Sequence, residues 1–135
     1  MKKIISRRGE GYVDVSVAVL VISFLIILIV SVFGAVSQKQ DLKYMCSELV
    51  EVAVVNGCVG EEVQERYTQL CEETGLTPIM SFDAVYFDTT TGKVQLGDVI
   101  SCTLTMDASL LGFGGEAFSF EMTNTQSGLS QIYWK

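Results

Sequence analysis

The sequence predicts an α+β protein: a long N-terminal transmembrane helix extending into an amphipathic helix, a second short helix, and an antiparallel sheet of about four strands. Three observations predict it. From Val15 to Gln38 no residue is charged, and Leu, Ile, Val and Phe dominate. Between Leu42 and Ala53 apolar residues recur at helical spacing. Beyond Pro78, the only proline, the apolar period switches to two.

Residues 1–9, "MKKIISRRG", are short, basic and weakly structured. The spanning helix is expected to start near Gly11 to Asp14. Its 24 uncharged residues, Val15 to Gln38, cover roughly 36 Å at ~1.5 Å rise per residue, enough to cross a hydrocarbon core of ~30 Å with some tilt. Ser16, Ser23 and Ser31 are tolerable there, because a serine hydroxyl can bond back to its own helix. No proline ends the helix, so it is expected to run on to about Val55. Leu42, Met45, Cys46, Leu49, Val52 and Ala53 then form one apolar stripe.

"NGCVG" (56–60) reads as a turn. The second helix lies in "EEVQERYTQLCEETG", with Glu61 and Glu62 suited to its positive end and Gly75 as its left-handed terminator. Val63, Tyr67, Leu70 and Cys71 supply its inward face. In the first strand Met80, Phe82, Ala84 and Tyr86 alternate with more polar neighbours. "DTTTGK" (88–93) is a hairpin connection. Val94, Leu96, Ile100, Cys102, Leu104 and Met106 are expected to share one face of a second strand, with Gly97-Asp98 as a bulge. "LLGFGGE" is a loop, Phe118, Phe120 and Met122 lie on one face of a third strand, and "LSQIYWK" offers a short fourth. The stripe on residues 42–53 is the natural cover for the apolar face of this sheet.

Charge separates the two halves. Residues 1–40 carry five basic and two acidic side chains, net +3; residues 41–135 carry four basic and fourteen acidic, net −10. Lys2, Lys3, Arg7 and Arg8 precede the apolar run, so the positive-inside rule places the N-terminus in the cytoplasm and the acidic part outside, at the cell surface. So acidic an exterior argues against nucleic acid as a direct ligand. The organisation expected is a leader at 1–9, a transmembrane helix at 10–38 and an extracytoplasmic head at 39–135.

All four cysteines, Cys46, Cys58, Cys71 and Cys102, lie beyond the apolar run. An even count in an extracytoplasmic domain permits two disulfides in three pairings; the alternative is that Cys46, Cys71 and Cys102 serve as small buried apolar residues. Their spacings are not those of a zinc site, and the chain has no histidine. Nor is a general base or a nucleophile elbow recognisable. Glu61-Glu62 and Glu72-Glu73 read as solvated helix faces, "GFGG" as a flexible turn, and Tyr133-Trp134 as a core closure or an edge. The expectation is a non-enzyme with no metal, cofactor or small-molecule substrate.

The mouth of the apolar run carries the most specific pattern. Asp14 taken alone could cap the helix or complement its positive end. With Gly9 as the last residue of a basic leader, however, Glu10 becomes position one of a mature chain and Asp14 position five, with roughly twenty apolar residues after it. Residues 7 to about 36 in this way resemble the N-terminus of type IV pilin precursors, and most closely the TadE-like pseudopilins of tight-adherence systems. The chain also resembles an uncharacterised family of small proteins from mobile elements of Gram-positive bacteria, through "ERYTQLCEETGL", "GKVQLGD" and the ending "YWK". That family brings no function with it.

The pilin resemblance implies that a prepilin-type peptidase in the membrane cuts between Gly9 and Glu10. It implies that the new ammonium group pairs with the position-five acid, Asp14, of a neighbouring related subunit. The apolar helix is then both lipid anchor and filament core. Three features depart from the pattern: aspartate replaces the usual glutamate at position five, Glu10 adds an acid beside the new amine, and Val15 comes after Asp14 where small major pilins have tyrosine. These favour a minor pseudopilin of a tight-adherence, secretion or conjugation apparatus over a main filament subunit. The alternative is an uncut, single-pass accessory or binding subunit of a transfer or secretion machine. A conventional secretory signal fits poorly, since the apolar run exceeds an ordinary 7–15-residue core and "VFG" before Ala35 is a poor cleavage site.

Overall fold

The computed structural model describes residues 8–110 and 118–135. The chain divides into two compact units, one up to Gly34 and one from Ala35 to Lys135. The first is the leading part of a 49-residue helix, α1 (Arg8–Asn56), which begins a few residues before the expected start. This helix is long and apolar enough to cross a membrane, and none of its most apolar stretch is buried among the described residues.

The second unit holds the remainder of α1, α2 (Glu61–Thr74), and, among the described residues, five strands: β1 (Ile79–Ala84), β2 (Tyr86–Asp88), β3 (Lys93–Val94), β4 (Val99–Leu110) and β5 (Phe118–Leu129). The α+β class is as the sequence predicts. β4 is central in an antiparallel sheet of order β1-β4-β5, and β2 pairs with β3 in a separate hairpin. β4 and β5 stay in register from Val99↔Leu129 to Leu110↔Phe118. The loop expected at "LLGFGGE" lies outside the described residues, apart from its first leucine at the end of β4.

Alternation sorts the two sheet faces. Ile100, Cys102, Leu104, Ala108 and Met122 face inward and are buried. The outer face is a ladder of hydroxyls, with Ser101–Ser127 and Thr103–Thr125 paired at 3.0 Å and Thr105–Thr123 at 3.5 Å. The inner face is covered by Leu42, Met45, Cys46, Leu49, Val50, Ala53 and Val54 of α1, all buried. Val52, expected on this stripe, is only partly buried. Val50 and Val54 take its place because Gly128 of β5 leaves room for them: a Cβ there would come within 2.6 Å of the Val54 side chain. Val63 and Leu70 of α2 complete the core, with Tyr67 and Cys71 half-buried beside it.

α2 ends where glycine allows. Gly75 adopts φ 70°, and its N–H donates to the Cys71 carbonyl at 2.9 Å. Arg66 ties the helix to α1 through Glu48 at 2.9 Å and reaches Glu73 at 3.5 Å. Water reaches this pair and screens it, so it contributes little to stability.

Three sequence expectations change. The first strand does not run from Met80 to Tyr86: it ends at Ala84, and Tyr86 begins β2, which pairs with β3 and not with β4. The run from Val94 to Met106 is not one strand with a bulge. It breaks into β3 and β4 at a turn closed by the Asp98 N–H donating to the Gln95 carbonyl at 3.1 Å, with Gly97 at φ 85°. Leu96 therefore leaves the shared face and is exposed. The closing segment "LSQIYWK" is not a fourth strand. β5 runs through to Leu129, and residues 130–135 form irregular chain that folds back on other elements.

Candidate functional site

Asp14 is the only charged residue between Gly11 and Gln38. It lies in α1, where every residue from Gly11 to Val30 is exposed. Among the described residues it has no hydrogen bond or ion pair. The serines nearby are different. Ser16, Ser23 and Ser31 each donate to the carbonyl four residues back, at 2.8, 2.8 and 2.9 Å, so their hydroxyls are satisfied within the helix. At ~100° per residue Asp14 projects from the side of the helix roughly opposite Ser16 and Ser23. One flank of this helix is thus lined by internally satisfied hydroxyls, and the other carries a carboxylate with no hydrogen-bond or ion-pair partner among the described residues. Gly9 and Glu10, the expected processing site, fall in the first turn of α1, so the backbone of the bond between them is helical. Residues 1–7 of the expected leader lie outside the described residues.

No two of the four cysteines are bonded in this structure. Cys46 and Cys102 are fully buried and adjacent: the Cys46 thiol donates to the Cys102 carbonyl at 3.1 Å and to that of Asn124 at 3.5 Å. Interaction with the Cys102 thiol draws the Cys46 pKa down, while the same contact and burial push that of Cys102 up. Cys58 lies elsewhere, bridging to Lys93 just after α1; burial, and then the Glu62 carboxylate, raise its pKa. Cys71 sits in the last turns of α2 beside Tyr67. Among the described residues no group of His, Cys, Asp or Glu is arranged to hold a metal ion.

A feature that sequence reasoning missed is a clasp made by the C-terminal segment. The Ser130 N–H donates to the Asp98 carbonyl at 2.9 Å, and the Ser130 carbonyl accepts from the Gly97 N–H at 2.9 Å. Its hydroxyl, in a buried residue, donates to the Val94 carbonyl at 3.0 Å. Gln131 N–H reaches the Val54 carbonyl at 3.1 Å. The Gln95 side chain is matched at both ends to the Trp134 backbone: its amide nitrogen donates to the Trp134 carbonyl at 3.0 Å, and its oxygen accepts from the Trp134 N–H at 2.8 Å. The indole Nε1 donates to the Gly57 carbonyl at 3.0 Å, and the Lys93 ammonium lies 4.3 Å from the ring centroid. Gly57 has φ 62°, and a Cβ there would meet Ile132 Cβ at 2.5 Å. "GKVQLGD" and "YWK", two separated segments in the sequence, are thus partners in space. No local sequence signal joins them, because the link is made by single contacts between positions nearly forty residues apart, as between Gln95 and Trp134.

Residues 19–135 match a family described as Domain of unknown function (DUF4320). The match takes in most of the apolar run and all of the clasp; Gly9, Glu10 and Asp14 precede it. No curated protein and no solved structure matches the chain.

Proposed function

The chain belongs to the DUF4320 family, and on that premise we propose that it is a pilin-like minor subunit, a TadE-like pseudopilin, of a surface apparatus for adhesion, secretion or conjugative transfer. The basic N-terminus lies in the cytoplasm and the acidic head outside. A prepilin-type peptidase removes residues 1–9, and the subunit assembles with related subunits through its apolar helix.

One observation carries the reading: Asp14, without a partner among the described residues, on a fully exposed apolar helix. A carboxylate in the first turns is tolerable near the lipid headgroups. Once the helix leaves lipid and packs against other helices, an unpaired charge costs several kcal/mol. The ammonium freed at Glu10 of a neighbour supplies the countercharge, and so fixes the register between subunits. The helix has the length and composition to serve in lipid first and in a filament afterwards.

Site-directed variants test this. Gly9→Phe blocks cutting. Asp14→Ala is cut normally but loses subunit–subunit cross-links between apolar helices, and Asp14→Glu restores them. Normal cross-linking by Asp14→Ala overturns the charge-pair role.

A second reading, an uncut membrane-anchored accessory subunit acting through its head, is favoured by one observation. The Gly9–Glu10 bond lies in helical backbone, and a peptidase reaches such a bond only after local unwinding.

A further inference from the structure

The fold brings Cys46 and Cys102 together. Cys46 lies on the inward stripe of α1 and Cys102 on the inward face of β4, and both are completely buried. The Cys46 sulfur is 3.1 Å from the Cys102 carbonyl oxygen, which brings the two residues into contact. Cys58 and Cys71 have no such neighbour. Cys58 precedes the first residue of α2 and Cys71 is its eleventh. At ~1.5 Å per residue this puts roughly 15 Å of helix between them, well beyond the ~7 Å Cα separation that a disulfide spans.

We propose that Cys46 and Cys102 are joined by a disulfide in the working protein, stapling α1 to the central strand of the sheet, while Cys58 and Cys71 remain thiols. This rests on the placement of the head outside the cytoplasm, where disulfides persist. The bond closes a loop between residues 56 apart, and long loops gain most from closure. It also ties the sheet directly to the helix that would carry a subunit in a filament.

The chemistry balances as two thiol–disulfide exchanges with a disulfide donor, either an oxidase of the dithiol class or a small-molecule disulfide. The Cys46 thiolate attacks the donor disulfide and displaces one donor thiolate. The Cys102 thiolate then attacks the Cys46 sulfur and displaces the second. The two chain thiols give up two electrons and two protons, and the donor leaves as two thiols. Both sulfurs are buried once the head is packed, so the exchange belongs to folding, before α1 seats on the sheet.

The test is peptide mapping of the full-length protein from its native membrane, alkylated at once and left unreduced. A membrane-impermeant amine-reactive ester is applied to intact cells in the same experiment. The expected result is one cross-linked peptide pair, Cys46 with Cys102, alkylated Cys58 and Cys71, and label on Lys135. Reduction should lower the melting temperature by on the order of 10 °C, a shift absent from the C46S C102S double variant. Alkylated Cys46 and Cys102 together with labelled Lys135 overturn the disulfide and leave the placement standing. Alkylated Cys46 and Cys102 with unlabelled Lys135 overturn both. A cross-link joining any other pair refutes the assignment.

Discussion

The two units of this chain share one helix of two different characters. From Val15 to Val30 α1 is almost wholly apolar and exposed on every side. From Leu42 onward the same helix is two-faced: Leu42, Met45, Cys46, Leu49 and Ala53 are wholly buried, and Lys43, Glu48 and Glu51 interrupt them on the outside. The contrast shows that helical periodicity belongs to an interface with water. Where the surroundings are hydrocarbon, there is no polar face to preserve and no stripe to find.

Substitutions that affect one unit and spare the other test that contrast. The largest effect is expected from Leu49→Ala, which should destabilise the head by ~2–5 kcal/mol through cavity formation while leaving the protein in the membrane fraction; chemical denaturation of the detergent-solubilised protein measures it. Ile26→Ala, the same kind of truncation at an exposed site, should leave head stability unchanged. Leu25→Arg should act in the opposite sense, costing ~3 kcal/mol of insertion at the helix centre with the head still folded. Carbonate extraction of membranes reads out that loss.

Next in size is Gly57→Ala in the clasp. The positive φ and the 2.5 Å approach of Ile132 together should cost ~1–3 kcal/mol, with loss of the fluorescence signature of the packed Trp134 before the rest of the head unfolds. Smaller again is Tyr67→Phe. The Tyr67 hydroxyl donates to the Pro78 carbonyl at 2.6 Å, and its loss should cost ~1 kcal/mol.

Burial, and then its contact with Cys71, push the Tyr67 phenol up from its usual 10 to about 12. The fold therefore favours the neutral phenol. The stability tied to that preference is complete below pH 10 and is lost as the pH climbs toward 12. Phenolate absorbance should show one late-titrating tyrosine, absent from Tyr67→Phe. The smallest effect is at Asp88, whose carboxyl is held below its usual value by the Thr90 N–H and then the Thr91 hydroxyl. Its contribution is present at neutral pH and fades as acid brings the pH down through that lowered pKa; Asp88→Asn should remove that acid-dependent part from a denaturation series.

What the sequence revealed divides along the same line. Local spacing was enough for both helices, for Gly75 at the end of α2, and for the hairpin around "DTTTGK". It was also enough for most of the core stripe. The replacement of Val52 by Val50 and Val54 was hidden, because it depends on Gly128, more than seventy residues away. The break between β3 and β4 and the irregular C-terminal segment were hidden for the same reason. An alternating run such as "LSQIYWK" has a strand's pattern, yet Ser130, Gln131 and Trp134 find their hydrogen-bond partners at Asp98, Val54, Gln95 and Gly57. At the candidate site Asp14 could be read from sequence, since one acid in an apolar run is conspicuous. Its partner could not, because under the proposed function that partner belongs to another molecule.

The central claim is that the carboxylate of Asp14 answers an amino terminus created by cutting. The most direct measurement is the intact mass and N-terminal sequence of the protein isolated from the membranes of its native host. The account predicts a chain that begins at Glu10. A functional chain that still carries "MKKIISRRG" contradicts it.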